Sequence, residues 1–296
     1  MPIRHTNSLR AADNHICFRE TESNFVRDRS GVGQAVDLKI TNPKAVRRTR
    51  GALEVKGKTE IRSDKAASKI TNAIKNSGGA ITLEAWIRPA NLKQEGPARI
   101  VTLSRGSQDR NVTLGQEKDR FDVRFRTPKT GNNGMEPSLT SSAKTVQTKP
   151  MHVVYTRESG GKARLFVDGK QRAETAIPGN VSNWDGSFQL GLGNEIGADR
   201  QWSGTFHLVA IYARALNEKE ITQNFQAGAG ALQSAPPATV TEAKSPPKPA
   251  PVPPSPKPQP EQKPMLVAKP ITEPVSNPGS RRGLIALYDF NATEGE

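Results

Sequence analysis

Short apolar runs rich in β-branched and aromatic residues, separated by turn signals, dominate the chain from Phe25 onward. Strands of this length that recur at short intervals are typical of an all-β sandwich or barrel. Residues 1–24 show no sustained period and carry many charges. We therefore expect an atypical, poorly ordered N-terminus over residues 1–24 and an all-β sandwich or barrel over residues 25–230. The predicted strands lie in ALEVKG, TEIRS, ITLEAWIRP, RIVTLSR, NVTLGQ, RFDVRFRT, HVVYTRE, ARLFVDGKQRAE, SFQLGLG and TFHLVAIYARAL.

The turn chemistry of the segment ARLFVDGKQRAE predicts a tight hairpin. Its two runs flank Asp168 and Gly169, and Asp-Gly readily adopts the positive φ values of a type I′ turn. We therefore assign Asp168 to the turn rather than to a ligand site. A second turn signal, ESGGK at residues 158–162, joins this hairpin to the preceding run MHVVYTR. Local chemistry alone thus predicts three consecutive antiparallel strands.

Helical periodicity is confined to two short segments. In the first, SDKAASKITNAIKNSGG, the residues Ala67, Ile70 and Ile74 recur at helical spacing. Ser63 or Asp64 is the candidate cap, and the glycine pair that follows is the predicted stop. We expect a short surface helix that covers one end of the sandwich.

The second helical segment is NEKEITQNFQAG. Asn217 and Glu220 have the spacing of a capping box, and Ile221 and Phe225 lie on one face. Gly228 is the predicted end of this helix. It too should cover an end of the sandwich.

The distribution of proline divides the chain. Of the 23 prolines, 15 fall between Pro236 and Pro278, and the apolar fraction of 34% is too low for every part to be packed in a core. We expect residues 231–282 to form a disordered, proline-rich linker, mostly in polyproline II, that acts as a semi-rigid spacer. The PxxP spacing in PPSPKP would also suit a proline-recognition domain.

The formal net charge of +14 is spread over both parts of the chain. Residues 235–282 hold seven Lys and Arg against three Asp and Glu, so a net charge of +10 remains outside them. A basic surface attracts polyanions such as nucleic acid, acidic polysaccharide or anionic envelope polymers, without specificity. The alternative is a soluble surface that happens to be basic. Because it rests on charge alone, we do not expect a nucleic-acid partner.

Several classes of protein are excluded by what the sequence lacks. Its single cysteine, Cys17, excludes an internal disulfide framework and a thiolate metal site. No run approaches the roughly 18 apolar residues that span a membrane. The N-terminal 20 residues lack the apolar core of a secretory signal, so either this export route is not used or the native start lies elsewhere.

Three blocks of sequence stand in an order that is typical of one family. GGAITLEAWIRPA resembles an early strand, HVVYTRESGGKARLFVDGK a central hairpin, and WSGTFHLVAIYARALNEKEITQNFQAG a closing strand with its terminal helix. Over about Val26 to Gly228 the chain is therefore similar to laminin-G-like domains of the concanavalin-A-like lectin/glucanase fold, as found in bacterial surface proteins. The resemblance implies an all-β fold, an antiparallel β-sandwich of the jelly-roll type over residues 25–230. It also implies an extracellular, periplasmic or cell-envelope location.

The end of the chain extends this resemblance. Such domains often begin with an apolar strand similar to GLIALYDF, followed by a segment similar to VRDRSG. Here VRDRSG occurs at residues 26–31, whereas GLIALYDF occurs only after the proline-rich segment, at residues 283–290. We expect residues 283–296 to be the first strand of a truncated second repeat. We also hypothesise that Gly283 to Phe290 docks as a β-strand beside the domain, in cis or by exchange between chains; a tail that hangs free is the alternative.

A polar loop supplies the candidate ligand-binding residues. Asn194, Glu195, Asp199, Arg200 and Trp202 lie together between two predicted strands. Oxygen ligands of this kind suit calcium, and an indole beside hydrogen-bonding groups suits the face of a sugar. The alternative is a solvated loop whose Trp packs inward. No cofactor is assigned, and calcium remains the candidate metal.

The sequence offers no catalytic residues. Glucanases of this fold carry paired carboxylates in a pattern such as E-x-D-x-x-E, because a retaining mechanism needs two carboxyl groups about 5 Å apart. No such pattern occurs here, so we predict that the protein is not an enzyme. His152 and His207 lie in predicted strands without a nucleophile at motif spacing, and we assign both to packing or capping. Near His207 the resembling family often has acidic residues, whose absence argues against calcium there.

The function that follows is recognition without catalysis. We expect the module to bind carbohydrate or protein ligands at the bacterial cell envelope, with the linker separating it from further domains. Two alternatives stay open: a structural adhesion or spacer module without a small ligand, and polyanion binding through the basic surface. Ligand identity and oligomeric state do not follow from the sequence.

Overall fold

The structure is a computed structural model that describes residues 24–49, 51–234 and 281–290. The predicted N-terminal segment and most of the predicted linker lie outside the described residues. Within these ranges, two antiparallel sheets contain 16 strands, and the architecture confirms the predicted β-sandwich.

The first sheet has eight strands. In spatial order they are β1 (Phe25–Val26), β2 (Leu38–Ile40), β5 (Ile61–Ser63), β14 (Gln189–Leu192), β7 (Ala98–Gly106), β8 (Asp109–Glu117), β9 (Arg120–Phe125) and β10 (Leu139–Thr140).

The second sheet packs face to face against the first. In spatial order its strands are β13 (Lys170–Ala176), β12 (Lys162–Val167), β11 (Met151–Arg157), β6 (Ile81–Pro89), β15 (Gly204–Tyr212), β4 (Ala52–Val55) and β3 (Val46–Thr49), and β16 (Leu284–Asp289) pairs with β15. A short 3-10 helix, Pro43–Ala45, precedes β3. The helices are α1 (Ser68–Asn76) and α2 (Glu218–Ser234).

The predicted hairpin is confirmed by its register and its turn. Strand β12 pairs with β13, and β11 pairs with β12, as three consecutive antiparallel strands. Asp168 and Gly169 have φ values of 52° and 73°, as a type I′ turn requires at both central positions. The Asp168 carboxylate also accepts a hydrogen bond from the His152 N–H at 2.9 Å. Asp168 is therefore a turn residue.

Helix α1 has the predicted core face and stop, but a different start. Ile70 and Ile74 are buried, and the glycine pair after the helix has positive φ values. The N-cap position is Ala67, which makes no side-chain capping bond. The predicted cap at Ser63 or Asp64 is thus wrong, because Ser63 belongs to β5 and its hydroxyl donates to the Lys65 carbonyl at 2.7 Å.

Helix α2 begins with the predicted capping box and ends later than predicted. The Asn217 N–H donates to Glu220 at 2.9 Å, and the Glu220 N–H donates to the Asn217 side chain at 3.0 Å. The helix continues to Ser234 rather than ending at Gly228. A Cβ at Gly228 would lie 2.4 Å from the Trp86 ring, so this glycine permits close packing on the second sheet and does not terminate the helix.

The C-terminal strand β16 forms part of the second sheet, which confirms that residues 284–289 dock beside the domain. It pairs antiparallel with the second half of β15, whereas the first half of β15 pairs with β4 on the same side. Ala286, Tyr288 and Phe290 alternate along the strand and reach the main core. Ile285 also lies in the main core and Leu284 on the opposite face, because a register shift opposite Tyr212 leaves Ile285 as an extra, bulged residue.

Candidate functional site

The outer face of the first sheet, turned away from the second sheet, carries polar side chains. On β8 and β9, Leu114 and Val123 belong to the core, so the alternate residues Thr113 and Arg124 lie on the opposite face. Thr113 pairs with Arg124 on one side and with Thr102 of β7 on the other. The hydroxyl groups of Thr102 and Thr113 are 2.9 Å apart and buried.

A buried ion pair lies across this face. The Arg99 Nε donates to the Glu195 carboxylate at 2.6 Å, and neither side chain is exposed to solvent. Glu195 comes from the loop after β14, and its other oxygen accepts hydrogen bonds from the hydroxyl groups of Ser104 and, at 3.3 Å, of Thr102. Burial lowers the pKa of Arg99, although Glu195 opposes this effect. The loop is thereby fixed on the sheet.

A second pair lies on β9. The Arg124 Nε donates to Asp122 at 2.9 Å, and the Thr140 hydroxyl donates to the other Asp122 oxygen at 3.0 Å. Both charged side chains are mostly buried. Glu195 and Asp122 therefore each have an arginine partner.

Arg110 lacks such a partner. It lies on β8, is 1% exposed, and has the four charged groups of the two pairs as its electrostatic neighbours. Its Nε and Nη1 atoms have no hydrogen-bond partner among the described residues. Burial, followed by repulsion from Arg99, lowers the pKa of Arg110 to about 10, so the group is still charged at neutral pH. We call Arg99, Arg110 and Arg124, with Glu195 and Asp122, the arginine cluster.

The chemistry of the arginine cluster favours an anion. Its three guanidinium groups face two carboxylates, and the unmatched positive charge belongs to Arg110. Leaving a charged donor buried and unpaired costs more than the roughly 1–3 kcal/mol of a neutral one. A carboxylate or sulfate would accept the free N–H groups, since guanidinium binds such groups in a bidentate geometry.

Three of the five residues predicted to bind ligand are directed into the protein. The Asn194 amide donates to the Thr59 carbonyl and accepts from the Glu195 N–H, both at 2.9 Å. Trp202 is fully buried, and its Nε1 donates to Gln116 at 2.9 Å. These side chains hold the loop in place. The indole of Trp202 packs inward, as the alternative interpretation of this loop proposed.

The other two predicted residues lie at the surface of the same loop. Asp199 and Arg200 form an ion pair of 3.2 Å, and about 43% and 34% of their side chains are exposed. Arg200 also lies close enough to Arg99 to lower its pKa. Asp199 and Arg200 therefore form a charged rim beside the arginine cluster.

A second buried network lies beneath α2. Glu84 of β6 accepts hydrogen bonds from the Tyr212 hydroxyl at 3.1 Å and from the Asn224 amide at 3.1 and 3.2 Å, and it lies 2.7 Å from His152 Nε2. The imidazole stacks on Trp86 at 4.8 Å between ring centroids. Burial, followed by the Glu84 charge, raises the pKa of Tyr212. His152 thus packs between the sheet and the helix.

His207 also has a packing environment. Its Nδ1 lies 3.1 Å from the Gly51 carbonyl. Burial lowers its pKa, and the hydrogen bond to Gly51 opposes this effect. His207 is therefore neutral near pH 7.

An open cleft of about 640 Å³ lies where β4, the end of β6 and the start of β15 meet. Two of its charged groups have partners: Glu54 pairs with Arg47 at 2.7 Å, and Arg88 donates to the Thr148 carbonyl at 3.2 Å. The third, Lys56, is exposed to solvent. Since none of these groups needs an external ion, we regard the arginine cluster as the stronger candidate.

No group of three or more His, Cys, Asp or Glu side chains is placed to hold a metal ion among the described residues. Within the same ranges, no helix is long and apolar enough to cross a membrane.

Sequence reasoning missed the arginine cluster, although part of its signal was visible. In RFDVRF, the apolar residues Phe121, Val123 and Phe125 alternate with Asp122 and Arg124, which predicts charged residues on the outer face. What the sequence did not reveal is that Glu195, far along the chain, closes over this face and leaves Arg110 buried.

These features define a β-sandwich of the lectin-like class with a polar sheet face. A laminin-G-type family model, described as the concanavalin A-like lectin/glucanases superfamily, matches residues 62–222, which is more than half of the chain. The chain belongs to this superfamily, as its three sequence blocks predict.

Solved structures with a similar fold are only distantly related. One is the binding domain of botulinum neurotoxin DC in complex with rat synaptotagmin II, with 12% identity over 69% of this chain and 52% of that one, and a TM-score of 0.48. A second is a heptameric SAP-like pentraxin from Limulus polyphemus, with 13% identity over 50% of this chain and 70% of that one, and a TM-score of 0.39. This chain spans about half the length of the toxin domain. A comparison with curated proteins gives no significant match.

Proposed function

We propose that this chain is a non-catalytic recognition module of the bacterial cell envelope that binds an acidic carbohydrate through the arginine cluster. The observation that carries the proposal is Arg110, whose buried guanidinium group forms no ion pair of its own with the described residues and lies beside two complete ion pairs. An acidic sugar whose acid group reaches this buried guanidinium would supply the missing charge. The exposed pair Asp199 and Arg200 would contact the neutral part of the ligand at the rim.

A bound acid would balance the positive charge of Arg110. In the free protein the charged form of Arg110 is disfavoured by burial and by Arg99. A bound carboxylate would offset both effects, and the low local dielectric would strengthen the pair relative to water.

A glycan array with matched neutral and acidic sugars tests the proposal. Arg110→Met should remove binding to the acidic members while leaving the domain folded, since it removes a buried charge that has no partner in the free protein. The matched control is Arg172→Met, which removes the same charge from an exposed position on β13.

The array also separates the alternatives. Binding that weakens steeply and equally for all anions as salt rises would indicate polyanion binding through the general basic surface. Capture of an acidic protein but of no glycan would assign the cluster to a protein ligand. If no acidic ligand distinguishes wild type from Arg110→Met, the proposal fails and the structural spacer is favoured.

A further inference from the structure

The strand β15 has two different partners along one of its sides. Residues 204–206 pair with β4, and residues 208–212 pair with β16, while β6 pairs along the other side. Val209, Ala210 and Ile211 are at most 1% exposed. Without β16 the second half of β15 would present unpaired backbone groups within the apolar core, which is costly and favours the addition of a strand.

The side chains of β16 fill both faces of this gap. Ala286 and Tyr288 are fully buried in the main core, and Phe290 stacks on Phe206 with ring centroids 5.9 Å apart. On the opposite face, Leu284 and Leu287 join the cluster beneath α2. The strand is therefore a core element of the domain and not a surface addition.

The outer edge of β16 is held by the segment VRDRSG. The Leu287 N–H donates to the Asp28 carboxylate at 3.2 Å, and the Leu287 carbonyl accepts from the Arg29 N–H at 2.8 Å. The Tyr288 hydroxyl donates to the Val36 carbonyl at 2.6 Å. We call the groove between β15 and residues 28–36 the strand groove.

Two segments of the sequence share a pattern, one before VRDRSG and one that includes part of β16. Residues 14–22 read NHICFRETE and residues 286–294 read ALYDFNATE, which share the pattern Phe-x-x-Thr-Glu. At the buried positions of Ala286 and Leu287, the first segment carries Asn14 and His15. Burying an amide and an imidazole without partners costs free energy, so the C-terminal segment suits the strand groove better.

We infer that the strand groove is a docking surface that accepts residues 283–290 from a second copy of the chain. All the contacts above join residues 283–290 to the rest of the domain. They are therefore the same whichever chain supplies the strand. Exchange of an identical element between copies adds no new interface chemistry and is a low-cost route to assembly.

The length of the connection permits exchange. Residues 235–280 separate α2 from the docked segment. At the polyproline II rise of about 3.1 Å per residue, a segment of this length spans about 140 Å, whereas a domain of about 200 residues is only about 40 Å across. The strand is therefore not restricted by reach to its own domain and can pair with a neighbouring one.

Two differently tagged full-length chains test this inference. They are unfolded together, refolded at high concentration and captured through the first tag. We expect the second tag to be captured too, and light scattering to report a mass of at least two chains. Leu287→Pro should abolish co-capture, because proline cannot donate the N–H that binds Asp28. Ala268→Pro, in the proline-rich segment, is the matched control and should leave co-capture intact.

A labelled peptide with the sequence of residues 281–296 provides a second measurement that does not depend on the fold of a variant. Added to the wild-type full chain during refolding, it should be incorporated in a saturable way, and the same peptide with Leu287→Pro should not. Chains that remain monomeric at every concentration, or equal incorporation of both peptides, would overturn the inference.

Discussion

The sequence left open whether Trp202 binds a ligand or packs inward, and the structure shows that it packs inward. The indole is fully buried, donates to Gln116, and packs on Phe206 with ring centroids 4.9 Å apart. It also lies against Gly204, where a Cβ would approach the ring to 2.4 Å. The local backbone is thus shaped around this side chain.

Trp202→Ala should therefore destabilise the domain by about 3–5 kcal/mol, as for other large aromatic residues that leave a cavity. For a domain of this size, thermal denaturation should show a melting temperature lower by about 10 °C or more. Asp199→Ala, on the exposed part of the same loop, is the control and should change it little. An unchanged melting temperature combined with lost ligand capture would return Trp202 to the ligand site.

The residues of the candidate site were only partly predictable. The spacing of Asn194 to Trp202 correctly located a polar loop, but it could not show which side chains point inward. Arg99 and Arg110 meet Glu195 only through the pairing of β14 with β7 and of β7 with β8. Contacts that depend on non-local strand order carry no local sequence signal, which explains why the cluster was missed.

Among the elements, those defined by local chemistry were predicted well. The hairpin around Asp168 and the capping box at Asn217 each depend on a few adjacent residues, and both are confirmed. The start of α1 and the end of α2 were wrong, because tertiary packing against β5 and Trp86 overrides local signals. The bulge at Ile285 likewise depends on the partner strand.

The stability of the domain should depend on pH through Asp28, whose carboxylate contacts β16. Burial alone would raise the pKa of Asp28, but hydrogen bonds from Lys69, Ser30 and Val36 outweigh it and hold the pKa below the ordinary value of 3.8. Because the folded pKa is depressed, this contribution to stability is present above about pH 4 and is lost as the pH falls through the folded pKa.

Melting temperatures measured between about pH 5 and about pH 2.5 check this expectation. Wild type should lose more stability over this range than Asp28→Asn, which has no carboxylate to protonate. Asp64→Asn, at an exposed position, is the control and should follow wild type. Identical profiles for wild type and Asp28→Asn would contradict the role of this carboxylate.

Deletion of residues 281–296 tests the contribution of β16 as an element. Since residues 284–290 bury six side chains and β16 pairs with β15 in the second sheet, loss of this segment should lower the melting temperature by several degrees or more, at about 2–4 °C per kcal/mol. Calorimetry on the deleted and complete chains measures this difference. An unchanged transition would mean that the tail hangs free, as the alternative in the sequence interpretation states.

At the scale of the whole molecule, the buried carboxylates Glu84, Glu195 and Asp122 are each held by hydrogen-bonding partners within the protein. We therefore predict that purified protein does not hydrolyse β-glucans. A reducing-sugar assay over long incubation measures this, with a known glucanase as positive control. Turnover that disappears when one of these carboxylates is replaced by its amide would refute the prediction.

The most direct test of the central claim is ligand-induced stabilisation. Binding to the native state raises stability by RT ln(1 + [L]/Kd), so glucuronate should raise the melting temperature of the full chain more than glucose at the same ionic strength. Arg110→Met should remove this difference, and Arg172→Met should keep it. If glucuronate and glucose have equal effects on wild type, or if the difference survives in Arg110→Met, the arginine cluster does not bind an acidic sugar.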